Sequence, residues 1–203
     1  MSGIVGSRFN IRGSGLVGSL GTDGQVFTSS GAGAGATYED AASGGITISD
    51  VWRVNSGATV TSTETDLTAN WERADDTGQG NVGSAMTESS GVFVFPETGF
   101  YTVRWLFHMS HGGGVQSRYG GGYGKLSVDN GSTYTNILNA GGSIVQNYTT
   151  TWSQNFGAFA QFDVTNVSTF KLKFSIYSEN TGDFWADTQK NSNCVHFMKL
   201  ADT

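Results

Sequence analysis

The run GVFVFPETGFYTVRWLFHMS, Gly91 to Ser110, constrains the fold of this chain more than any other stretch. Phe93 and Phe95 alternate, and Pro96-Glu97-Thr98-Gly99 supplies a turn. Tyr101, Val103, Trp105, Phe107 and Met109 then recur at every second position. Side chains of an extended strand alternate between its faces. Five large apolar groups therefore share one face, with Thr102, Arg104 and His108 on the other. A strand of this kind needs a second layer to cover it. No stretch shows apolar residues at helical spacing.

Other segments repeat the pattern. ITISDVWRV and GATVTSTETDL open a dense region at Ile46, and NWERADDTGQGNVGSAMTESS reads as a polar connection. KLSVDNGSTYTNIL reads as a hairpin in which Asp129-Asn130-Gly131 supplies positive-φ residues. FGAFAQFDV, FKLKFSIYS and CVHFMKL complete the series. In FKLKFSIYS, Phe170, Leu172, Phe174 and Ile176 are expected inside, with Lys171, Lys173 and Ser175 outside. Among 203 residues only 14% are charged, while 30 are Gly and 1 is Pro, as expected for short strands joined by tight turns. The fold class expected is all-β: a jelly-roll β-sandwich over residues 46–203, preceded by a short, extended, glycine-rich N-terminal stem over residues 1–45. No fixed-period repeat is present.

The formal net charge of -6, with 11 Lys+Arg scattered singly, argues against a phosphate backbone as partner. MSGIVGSRFNIRGSG lacks the apolar core of a secretory leader, and no stretch is long and apolar enough to span a bilayer as a helix. Cys194 is the single cysteine and reads as a small buried group in the last strand. Folding in a reducing cytoplasm is expected.

Residues from about 46 to 203 resemble the jelly-roll family shared by complement globular heads and tumour-necrosis-factor ligands. The resemblance rests on SGVFVFPETGFYTVRWLF, LSVDNGS, FAQFDVTNVSTFKLKF and the closing VHFMKL. It implies a compact homotrimer with a binding role and no catalysis. A second resemblance lies in GTDGQVFTSSGAGAGATYE, which is similar to a module of bacteriophage tail fibres. There Phe27 stands for the usual Leu and Tyr38-Glu39 for the common Trp-Glu. The pairing implies a phage virion protein.

Several patterns invite chemistry. Gly13–Gly18 matches GxGxxG, but its continuation, Ser19-Leu20-Gly21-Thr22-Asp23-Gly24, will not start the helix a pyrophosphate needs. Gly120–Lys125 hints at a phosphate loop, yet Tyr119 replaces its first glycine and Leu126 its Ser or Thr. It reads as a flexible connection, open to a solvated reading or to one in which His111, Arg118, Tyr119 and Tyr123 form a receptor or glycan contact loop. His108 and His111, three apart, fall on opposite faces of a strand, and His196 is remote; one histidine per subunit could still meet on a threefold axis. Glu64 and Asp66, then Glu72, Asp75 and Asp76 near Asn81, are acidic groups open to a calcium or a solvated reading. The sequons at Asn130, Asn147 and Asn166 read as turn chemistry. No nucleophile–base set is marked, and neither cofactor nor metal is called for.

The expectation is therefore a non-enzymatic phage structural protein, located in the virion after synthesis in the host cytoplasm. It would be a homotrimer whose exposed aromatics, among Trp52, Trp71, Trp105, Trp152 and Trp185, pack against its own copies. The attachment segment would use Phe9, Ile11, Leu16, Leu20, Val26 and Phe27 to engage capsid or tail proteins. The head would meet a host-surface glycan or receptor. A free carbohydrate-binding module is the alternative.

Overall fold

A computed structural model describes residues 22–29, 36–40, 45–112, 117–143 and 152–203. The chain divides into two units, residues 1–45 and 46–203.

In the first unit, β1 (Gln25–Ser29) and β2 (Ala36–Asp40) form an antiparallel hairpin. Gly24 at φ 90° closes the expected turn, and Gln25 N–H donates to the Thr22 carbonyl at 3.2 Å. Phe27 and Tyr38 face each other in register with ring centroids 5.0 Å apart. The strand expected at Gln25 is present; its partner, Ala36–Asp40, was not foreseen. Phe9, Ile11, Leu16 and Leu20, the Gly13–Gly18 pattern and Asn147 lie outside the described residues.

The second unit is a two-sheet sandwich. Its early strands are β3 (Ile48–Val54), β4 (Ala58–Val60), β5 (Thr65–Asp66), β6 (Trp71–Arg73), β7 (Thr87–Ser89) and β8 (Val92–Val94). The long β9 (Gly99–His111) and β10 (Tyr119–Ser127) come next, then β11 (Thr135–Ser143), β12 (Trp152–Val164), β13 (Lys171–Ser178), β14 (Gly182–Phe184) and β15 (Cys194–Ala201). One sheet is built around β9. Strand β12 pairs along the whole of one side of β9, while β15 and β14 share its other side and continue to β3, β6 and β4. The other sheet runs β11-β10-β13-β8-β7, with β5 also on β13.

The alternation in β9 explains the sandwich. Tyr101, Val103, Trp105, Phe107 and Met109 are all fully buried against the second sheet. Trp105 meets Phe174 of β13 at 4.9 Å between ring centroids, and Phe93 of β8 meets Phe197 of β15 at 5.1 Å. Each such aromatic pair contributes about 1 kcal/mol beyond the area it buries. The β13 assignment is correct for Phe170, Leu172, Phe174 and Ile176, but Ser175 is buried rather than outward; its hydroxyl donates to Glu64 at 2.6 Å. Asn130 and Gly131 take positive φ in the β10–β11 connection, as expected. Asn166 accepts from the backbone and hydroxyl of Ser168, which makes it a turn residue. Cys194 is a buried free thiol.

One assignment is corrected. The stretch Gly120–Lys125 is not a flexible loop but the middle of β10, hydrogen-bonded to β11 and β13 at once. The glycines are there because neighbours fill the space a side chain would take. A Cβ on Gly122 would come within 2.4 Å of Trp105 Cη2, and one on Gly121 within 2.8 Å of the Tyr177 hydroxyl. The polar connection 70–90 likewise contains two short strands, β6 and β7.

Candidate functional site

Strand β10 carries Tyr119 and Tyr123 toward the outer face of the second sheet, with Arg118 immediately before it. With no Cβ on Gly121, Tyr177 of β13 lies across the backbone and joins the two tyrosines. Its ring stacks on Tyr123 at 5.2 Å and 20°, and sits 6.4 Å from Tyr119. Burial, then the hydrogen bond with Tyr123, pushes the Tyr177 phenol up to about 12, so that phenol stays uncharged at neutral pH. Tyr177 was missed from sequence, although it continues the outward phase of Lys171 and Lys173. Arg118 is not a free cation, because its guanidinium and its backbone N–H both bond the Glu179 carboxylate. His111 leaves the group altogether. It is fully buried at the end of β9, its Nε2 2.9 Å from the Ser178 hydroxyl and 3.1 Å from the Asn180 carbonyl.

The acidic clusters are paired with cations of the protein itself. Arg53, 1% exposed, gathers Glu72 at 2.7 Å and Asp76 at 2.6 Å, with Asp75 at 3.5 Å. Burial opposes the Arg53 charge, but the two close carboxylates more than offset it, and its pKa is raised. Lys125 bonds both Glu64 and Asp66, and Lys173 bonds Asp66 at 2.7 Å. The hydrogen bonds from Lys125 and then Ser175 hold Glu64 below its ordinary range. A cation already occupies each carboxylate group. Among the described residues no cluster of three or more His, Cys, Asp or Glu is placed to hold a metal ion.

A third polar cluster went unread in the sequence. Asp50 is completely buried. It accepts from Trp52 Nε1 at 3.0 Å, from Arg73 Nε at 2.9 Å and from the Met86 backbone at 2.9 Å. Alternation in ITISDVWRV already places it beside Ile48 and Trp52 on the inward face. The Arg73 guanidinium also lies 4.7 Å from the Trp52 ring centroid. This network joins β3, β6 and the start of β7.

The outward face of the β9 sheet carries a partly apolar concavity. Thr102, Arg104 and Leu106 of β9, Gly157, Ala158 and Phe159 of β12, and His196 and Met198 of β15 line a concavity of about 570 Å³. Phe159 is 77% exposed, and Phe100 and Leu200 are exposed at the end of the same sheet. His196 Nε2 is 2.8 Å from the Ser49 hydroxyl. Burial, then Arg104, lowers the His196 pKa, so its ring is neutral at pH 7. The apolar patch expected from tryptophans is thus built otherwise. Trp71 and Trp105 are buried, Trp52 is partly buried, and of these only Trp185 is exposed, while the Trp152 side chain lies outside the described set.

No family model matches the chain, and no curated protein matches it. Solved structures do. Murine APRIL gives a TM-score of 0.49 at 11% identity, over 75% of this chain and 99% of that one. Eiger TNF from S. frugiperda superposes with a TM-score of 0.57 at 12% identity, over 76% and 93%. By the Eiger superposition, the all-β sandwich is a jelly roll of the tumour-necrosis-factor type.

Proposed function

We propose that this chain is a non-enzymatic, homotrimeric appendage of a bacteriophage virion. Residues 1–45 attach it to capsid or tail proteins, and residues 46–203 form a head that meets a host-surface glycan or receptor. The observation that carries the trimer is the outward face of the β9 sheet, where Phe159 stands exposed at a concavity and Phe100 and Leu200 are exposed at the end of the sheet. Solvated monomers rarely leave such a patch uncovered, and a second and third copy of the same surface would cover it.

The virion role is supported by the GTDGQVFTSS string, in which Gln25–Ser29 forms one strand of a hairpin, with Val26 and Phe27 half exposed. Two five-residue strands bury too little to be stable alone, so an attachment partner gives them a reason to persist. The glycan role is supported by the ledge of Tyr119, Tyr177 and Tyr123, which offers neighbouring flat rings. That same ledge favours the second reading, a free carbohydrate-binding module, in which residues 1–45 are dispensable. Labelling the two units separately in purified particles discriminates. The virion reading requires residues 1–45 at the capsid or tail and residues 46–203 facing solvent. Absence of the chain from particles overturns it.

A further inference from the structure

We propose that a cleft beside Trp185 is a saccharide-binding site, separate from both the tyrosine ledge and the concave sheet face. Gly57, Ala58 and Thr59 around β4, Ser110 at the end of β9 and Gly112 just after it, and Asp183, Phe184 and Trp185 line a shallow, open cleft of about 450 Å³. That is the size of an ordinary small-ligand pocket. It shares no lining residue with the concavity around Phe159. Along β9, Ser110 lies six residues beyond Arg104, roughly 20 Å at strand rise.

Trp185 is 54% exposed but tightly positioned. Its indole N–H donates to the Ser110 hydroxyl at 2.6 Å. Its backbone N–H reaches the His108 carbonyl at 3.3 Å. The buried Asn193 amide then locks both strands, donating to the Trp185 carbonyl and accepting from the His108 N–H. A large apolar ring is thus fixed while half of it meets water. Such ordering in advance lowers the cost of binding.

The chemistry around the ring selects the ligand class. Asp183 of β14 pairs through its backbone with Thr59 and Ser110, and its exposed carboxylate makes no hydrogen bond or ion pair with any described residue; Thr59 adds an exposed hydroxyl. No lysine or arginine lines the cleft, which disfavours an anion. A single carboxylate, with no metal-ligating cluster among the described residues, disfavours a metal ion. A hexose fits. Its C–H face stacks on an indole, and adjacent hydroxyls donate to a carboxylate. No covalent step is involved.

The test titrates the full chain with the methyl glycosides of glucose, galactose and N-acetylglucosamine, read by saturation-transfer NMR. Saturable binding of at least one glycoside is expected, weakened about tenfold or more by Trp185→Ala or by Asp183→Asn and largely retained in Trp185→Phe. Melting temperature and molar mass should be unchanged in each variant. Four results overturn the proposal: no glycoside saturates; binding survives both substitutions; tetramethylammonium binds in place of sugar; or Trp185→Ala lowers the molar mass, making Trp185 a subunit contact. The site rests on the head being a sugar binder. Host-cell adsorption of the head that persists in Trp185→Ala, with glycoside binding also intact, removes this cleft but leaves the attachment reading standing.

Discussion

Gly122 lies flat against Trp105: a Cβ added to the glycine would come within 2.4 Å of the indole Cη2. The same Cβ would come equally close to the Ser175 carbonyl. The glycine of β10 is therefore part of the core packing rather than a hinge. Gly122→Ala is expected to destabilise the head by about 2 kcal/mol, because Trp105 is fully buried and cannot retreat. Urea unfolding followed by tryptophan fluorescence measures this directly. An unchanged midpoint would return the stretch to a yielding connection.

Asp50 gives a sharper case. It is the only acceptor among the described bonds for Trp52 Nε1 and the Met86 N–H, and it faces Arg73 at 2.9 Å. Asp50→Ala strands two donors and a half-buried cation, so a loss of about 3–5 kcal/mol is expected. Asp50→Asn keeps the shape and should cost less. Thermal unfolding of the two variants side by side checks the order.

Acid should weaken the head through its cation-bound carboxylates. Lys125 and Ser175 depress Glu64; burial opposes the lowering of Asp66 and Glu72, but Lys173 and Lys125 prevail at Asp66, and Asn55 and Arg53 at Glu72. A folded-state value below the unfolded one adds stability that is complete above the unfolded value, about 4, and is lost as pH falls through the folded value. Urea midpoints should therefore decline gently below about pH 6.5, where His196 is held neutral in the fold, and drop further below about pH 4 as these carboxylates protonate. Glu72→Gln should flatten that acid limb. A limb of the same slope in the variant would remove Glu72 from the account.

The contrast between β9 and β10 explains what the sequence discloses. In β9 the side chains themselves alternate in size and polarity, so Tyr101 through Met109 announce a buried face. In β10 the decisive residues are Gly120, Gly121, Gly122 and Gly124, which have no side chain to alternate. Their strand state is imposed from outside, by β11 and β13 on either flank and by Trp105 below. The tyrosine ledge suffers for the same reason. Tyr119 and Tyr123 were legible, but Tyr177 joins them only once β13 is known to pair with β10. His111 looked accessible because the run of glycines after it suggested a loop, whereas its inward phase on β9 sends it into the protein. The acidic groups near Glu64 and Glu72 were visible, but their cations, Lys125, Lys173 and Arg53, come from strands far away in sequence.

The proposed trimer joins three copies of this chain through the outward face of the β9 sheet. Phe159, 77% exposed in the isolated chain, should be buried in that assembly. Light scattering across a sizing column, run on the wild type and on Phe159→Asp, tests it most directly. The wild type should show three times the 21.5 kDa chain mass, and Phe159→Asp should fall to a single chain with its circular dichroism unchanged. A wild-type mass of one chain at micromolar concentration would contradict the claim, as would a trimer indifferent to Phe159→Asp.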